Sequence, residues 1–232
     1  MFTNHVPYII SIAFLIAIII PVFMINSIIK RATGNSKPII PFYITYFIVV
    51  SILCFQGVFN TETLPPRIIV VTTLPLLLFY IFYISNTKFY KSFLDKVALP
   101  DLVKIHIFRL IGGFFLILFF LDQLPATFAF IAGCGDIITA LSSLYVAKII
   151  KESKTSATPI TIVWNTFGLI DILVTSATAV FLTKMSIETG SMGVDILTQF
   201  PFCLIPAFAP ATIIFLHITI YRKILNQKKQ PI

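Results

Sequence analysis

Residues 8–29 read YIISIAFLIAIIIPVFMINSII and are followed at once by Lys30-Arg31. This run has no ionisable side chain apart from the neutral phenol of Tyr8 and is long enough to cross the hydrocarbon of a bilayer as a helix, which takes about 20 residues. It is too long for the apolar core of a signal peptide. The segment before it, Met1 to Pro7, has no Lys or Arg to form a positive leader. The stretch therefore reads as a spanning helix with a basic end. The rest of the chain repeats the pattern.

The 232 residues are 58% hydrophobic and 11% charged, with a mean hydropathy of +0.99. A soluble domain carries about 25% charged residues, so lipid is the solvent for much of this surface. Seven stretches qualify as spans, at approximately 8–29, 39–59, 67–85, 105–123, 126–148, 159–183 and 199–222. They are continuous apolar runs. Strands of a membrane barrel alternate apolar and polar residues over about 10 positions, so helices are expected. The expected architecture is an all-α transmembrane bundle forming one domain over residues 1–232.

Charge gives direction. Of 17 Lys and Arg residues, 14 fall in the 1–2, 3–4 and 5–6 connections or after the last span: Lys30, Arg31, Lys37, Lys88, Lys91, Lys96, Lys104, Lys148, Lys151, Lys154, Arg222, Lys223, Lys228 and Lys229. The other side holds Arg67 and Lys184 with Glu62, Asp122, Glu188 and Asp195. The positive-inside rule puts the N-terminus outside and the C-terminus in the cytoplasm, and an odd number of spans keeps that alternation. The net charge of +8 thus reflects topology, and no nucleic-acid partner is expected.

Between spans 3 and 4, Phe89, Phe93, Leu94 and Val97 recur at helical spacing among Lys88, Lys91 and Lys96. They read either as an interfacial helix ended by Pro100 or as a charged loop. Asn226 to Ile232 reads as a disordered tail. Pro21, Pro75, Pro201, Pro206 and Pro210 predict kinks, most of all in span 7, whose freed carbonyls could line a cavity. Trp164 is expected as an interfacial anchor.

Ionisable groups inside a span are expensive and mark function by default. Spans 4 to 7 hold nearly all of them. Span 4 carries His106, Arg109, Gly112 and Gly113 on one face. Span 5 carries Ala129, Ala132, Gly133, Asp136, Ala140 and Ser143. Span 6 shows Asn165, Gly168, Asp171, Thr175 and Thr178, and span 7 has Pro206, Pro210, His217 and Tyr221. These stripes should face one another. The candidate site is a polar intramembrane cluster of Arg109, Asp136, Asn165, Asp171 and His217, with Arg109 paired to Asp136 or Asp171. Arg109 either joins that cluster or snorkels to the interface, and His106 is expected to be solvated near the interface. One cation facing two carboxylates leaves at least one of them protonated or bonded to neutral donors.

Cys54, Cys134 and Cys203 are an odd set in apolar runs, expected as packing residues. No HExxH, paired His or Cys cluster is present, so no metal and no cofactor are expected. P-loop, GxSxG and dinucleotide fingerprints are missing. Span 7 has no mid-helix Lys for a retinal Schiff base.

Phe108-Arg109-Leu-Ile-Gly112-Gly113 through Leu124-Pro125, then Phe128-Ala129 and Ala132-Gly133-Cys134-Gly135-Asp136-Ile137, form a recognisable pattern. So do Trp164-Asn165-x-x-Gly168-Leu169-x-Asp171 and Leu204-Ile205-Pro206-x-Phe208-x-Pro210 with His217 downstream. Over residues 105–222 the chain resembles a group of uncharacterised small bacterial multi-pass membrane proteins. The resemblance implies a bacterial inner membrane and no activity. Three functional classes remain open: a protein that binds or moves a small solute or proton, an enzyme acting on a lipid or quinone, and a sensor or accessory subunit whose cluster is structural.

Overall fold

The computed structural model describes residues 6–34, 38–60 and 63–229. Lys37 and Glu62 of the loop-charge pattern, most of the segment before the first span, residues 230–232 of the expected tail and the side chains of Lys228 and Lys229 lie outside the described residues. Among the described residues there are helices and no strands. They are α1 (Tyr8–Thr33), α2 (Ile39–Phe55), α3 (Ile69–Asn86), α4 (Lys88–Lys96), α5 (Leu99–Phe120), α6 (Ala126–Lys151), α7 (Ala157–Thr189) and α8 (Leu204–Lys229). Six of them, α1, α3, α5, α6, α7 and α8, are long and apolar enough to cross a membrane. The apolar α2 is shorter, at 17 residues. This is the architecture of a multi-pass helical membrane protein.

The ends follow local chemistry. The first helix stops where Gly34 takes φ +75° and returns its N–H to the Lys30 carbonyl at 2.9 Å, a left-handed cap that glycine adopts without steric cost. Gly190 ends α7 in the same way. The charged 3–4 connection is helical. Thr87 caps α4 by accepting from the Tyr90 N–H at 3.1 Å, and Tyr90, Phe93 and Leu94 form its buried face. Pro100 does not end this helix. α4 stops at Lys96, and Pro100 sits in the first turn of α5, where its missing N–H would have had no partner anyway. The tail expected from Asn226 is helical as far as Lys229, because no Pro or Gly interrupts it there.

The two packing partners of α6 are α5 and α7, met along Ala129, Ala132, Gly133, Gly135 and Ala140, whose small side chains let backbones approach. The last helix, α8, touches α2, α3, α4, α5 and α7 and so joins the two halves of the chain. Of the three prolines expected to bend it, only Pro210 lies in its interior. Pro201 precedes the helix, and Pro206 falls in its first turn. Because Pro210 lacks an N–H, the Pro206 carbonyl loses its helical partner. That carbonyl does not face a cavity as a free group: the Thr73 hydroxyl of α3 donates to it at 2.6 Å. The Tyr46 hydroxyl of α2 donates to the neighbouring Ala207 carbonyl at 2.9 Å.

Thr73→Val keeps the shape and removes the donor, so the half-buried Pro206 carbonyl loses its side-chain partner. A loss of about 1–3 kcal/mol is expected in reversible denaturation in detergent. A change within a few tenths of a kcal/mol would show that the proline break needs no external donor.

Candidate functional site

The middle of α5 is wound as a 3-10 helix from Ile105 to Gly112. With three residues per turn, positions three apart eclipse. His106, Arg109 and Gly112 therefore stand in one column facing α6, α7 and α8. Arg109 lies about 15–18 Å along α5 from its start at Leu99. It does not snorkel; it is 1% exposed and turned into the bundle.

The guanidinium uses its fork on all sides. Nε donates to Asp136 Oδ1 of α6 at 2.6 Å. Nη2 donates to Asp171 Oδ2 of α7. Nη1 donates to the Gly168 carbonyl of α7 at 3.0 Å and lies 3.3 Å from His217 Nε2 of α8. Both carboxylates anticipated as alternative partners are thus engaged together, and one side chain ties three helices to α5.

The tautomer of His217 follows from its neighbours. The Asn165 Nδ2 donates to the His217 carbonyl at 3.1 Å, and a carbonyl can only accept, so Asn165 Oδ1 is the atom facing the ring. His217 Nδ1, 2.8 Å from that oxygen, must donate. In the neutral ring Nε2 is then an acceptor, and it meets an Arg109 N–H. Every polar contact between Asn165, His217 and Arg109 is consistent with that one assignment.

Two other residues behave differently from expectation. His106 is fully buried rather than solvated, because α5 begins six residues before the span boundary read from the sequence. Its ring centroid is 4.3 Å from that of His217 and 5.2 Å from that of Trp164. Neither of its ring nitrogens has a hydrogen-bond partner. Trp164 is no interfacial anchor. It is buried against α6, and its Nε1 donates to Ser142 Oγ at 3.0 Å and lies 3.3 Å from the Thr139 carbonyl. Thr139 is buried on the same wall, its hydroxyl unpartnered.

Glycines make room for these groups. A Cβ at Gly112 would strike the Asp136 carboxylate, and one at Gly135 would strike Asp171. At Gly168 it would fall 2.6 Å from His217 Cε1. Gly133 instead seats Leu116. Beside Arg109 and Asp136 lies a hollow of about 20 Å³, also lined by Gly112, Phe115 and Phe208. Its volume is about that needed for one water molecule. No group of three His, Cys, Asp or Glu that would hold a metal occurs among the described residues. Cys134, two residues before Asp136, makes no hydrogen bond to the network.

The fold and site together define a multi-pass membrane protein with a buried Arg–dicarboxylate–histidine network. The family is shown directly: residues 65–225 match the model of a domain of unknown function (DUF8737), and the chain belongs to that family. The match spans α3 to α8 and includes all five cluster residues. No curated protein and no solved structure matches the chain.

Arg109→Met leaves the buried Asp136 and the partly buried Asp171 without their cation, and a cost of about 3–5 kcal/mol is expected in detergent denaturation. The triple variant Arg109→Met, Asp136→Asn, Asp171→Asn removes the uncompensated charge and should recover most of that loss. Equal stability of the single and triple variants would show that the carboxylates do not depend on Arg109.

Proposed function

We propose that the chain is a seven-span protein of a bacterial inner membrane that binds a proton at the Arg109 network and passes it on, alone or coupled to a small solute. In this reading α2 is the seventh span. Its 17 residues sit at the lower end of the spanning range of about 17–25. The basic loops face the cytoplasm and the N-terminus faces outward, following the distribution of Lys and Arg.

One observation carries the proton reading. A single guanidinium lies between two carboxylates, and each carboxylate keeps a second oxygen without a donor among the described residues. With both ionised the network holds one negative charge in excess, in surroundings where uncompensated charge is costly. A proton removes it with no rearrangement, and a structural clamp would need only one acid. The neighbourhood suits transfer: a water-sized hollow touches Asp136, and His217 with His106 continues the chain of proton-holding groups toward the basic end of α5.

The alternative of a lipid- or quinone-directed enzyme lacks space at this cluster, where the hollow is about 20 Å³. A purely structural role does not call for the second carboxylate or for the unpartnered imidazole of His106.

Infrared spectra of the protein in detergent, recorded across pH, provide the test. A protonated-carboxyl carbonyl band that shifts in D₂O is expected in the wild type and should vanish in Asp136→Asn or Asp171→Asn. In vesicles loaded with a pH-sensitive dye, the wild type should carry protons and the double carboxamide variant should not. A band absent at every pH where the protein stays folded would refute the shared proton. A band without flux would reduce the site to a static one.

A further inference from the structure

We propose a second site, for an anionic phospholipid: its acyl chain occupies a hollow between α1, α2, α3, α4 and α8, and its headgroup lies over the cations of α4. The inference goes beyond the proton reading and shares no residue with the Arg109 network.

The hollow measures about 480 Å³. Two aromatic stacks form its walls. Phe42, Phe79 and Tyr83 stack with centroids 5.7 and 5.2 Å apart. Tyr80, Phe215 and Tyr90 lie opposite, with centroids 5.1 and 5.4 Å apart. The hydroxyls on these walls are turned to each other. Tyr43 meets Tyr80 at 2.7 Å, and Tyr90 meets Thr219 at 3.0 Å. The lining offers a ligand an apolar, aromatic surface in which the hydroxyls of Tyr43, Tyr80, Tyr90 and Thr219 are already paired. That is the environment of a hydrocarbon chain. A bilayer supplies such chains to any lateral opening.

Charge identifies the headgroup. The hollow reaches Thr87 and Tyr90 on α4, and their neighbours Lys88 and Lys91 are exposed. Arg222 lies 5.7 Å above the Tyr90 ring. On α1, Ile28 and Ile29 line the hollow, and the exposed Lys30 and Arg31 come next. The acids at this end are Asp95, which is exposed, and Asp101, 3.9 Å from Arg31. Cations therefore exceed carboxylates around an apolar recess, at the depth where an amphipathic helix lies in the interface. An anionic headgroup above a buried chain matches both halves of this surface.

Native mass spectrometry tests it, on protein reconstituted in vesicles of equal parts phosphatidylglycerol and phosphatidylcholine and then released in mild detergent. The wild type should retain phosphatidylglycerol preferentially. Lys88→Gln with Lys91→Gln, both exposed and harmless to folding, should lower that preference by about fivefold per cation, or roughly 25-fold together. Ile39→Trp, which fills the hollow, should lose both lipids, whereas Ile48→Trp on the exposed face of α2 should behave as wild type. Equal retention of the two lipids by the wild type would overturn the headgroup assignment. Undiminished phosphatidylglycerol in Ile39→Trp would overturn the hollow as its seat. A bound quinone detected by its ultraviolet absorption in place of a phospholipid would overturn the ligand class.

Discussion

A guanidinium in hydrocarbon has no water to fall back on, and Arg109 is the group around which this bundle is arranged. Its side chain is buried, and its charge must be met within hydrogen-bonding reach. Asp136 comes from α6, Asp171 and the Gly168 carbonyl from α7, and His217 from α8. Four helices must therefore converge at one depth. Lipid tails provide no hydrophobic drive for helices to associate, so such polar bonds and close packing supply the specificity.

Close packing in turn requires the absence of side chains at defined points. A carboxylate reaches the guanidinium only if the facing helix surface is bare. Gly112 clears the way for Asp136, Gly135 for Asp171, and Gly168 for the His217 ring. The 3-10 winding of α5 has the same consequence from the other side. It stacks His106, Arg109 and Gly112 at successive turns, so cation and clearance stand in line. The glycines and the charges are one device: a methyl group at Gly135 would displace Asp171 from the bundle, just as losing the acid would.

Much of this was legible in the residue order. Ionisable groups in apolar runs are visible without coordinates, and the three-residue spacing of Asn165, Gly168 and Asp171 already put them on one face of α7. Depth was less legible, because it depends on where a helix starts. An apolar run marks where hydrocarbon begins, while a helix begins where its first turn can form. Leu99 and Pro100 start α5 earlier than the apolar run at 105, which carries His106 inward to the network. Ala157 starts α7 early enough to bury Trp164 against α6. The 3-10 winding and the role of Gly135 depend on contacts between helices, and periodicity in one segment does not report them. The same is true of the hollow beside α4, whose walls come from residues far apart in the chain.

In the proposed reading, what separates this network from a clamp is what it leaves undone. A structural ion pair in a membrane is most stable when neutral and fully bonded, since each missing partner is unpaid for by water. Here the Arg109–His217–Asn165 arm meets that standard, with donor and acceptor assigned at every contact. The other arm does not: it has two acids for one base, a free oxygen on each, and His106 with both nitrogens unpartnered beside His217. The deficit lies on the two carboxylates and on His106, while His217 between them is fully bonded. Ser11 on α1 and Thr63 also bury a hydroxyl without a partner among the described residues, but only around Arg109 do the gaps fall on ionisable side chains. On the proposed reading, the carboxylate oxygens left without a donor are where a proton binds, since a proton is the one ion small enough to sit between groups already bonded.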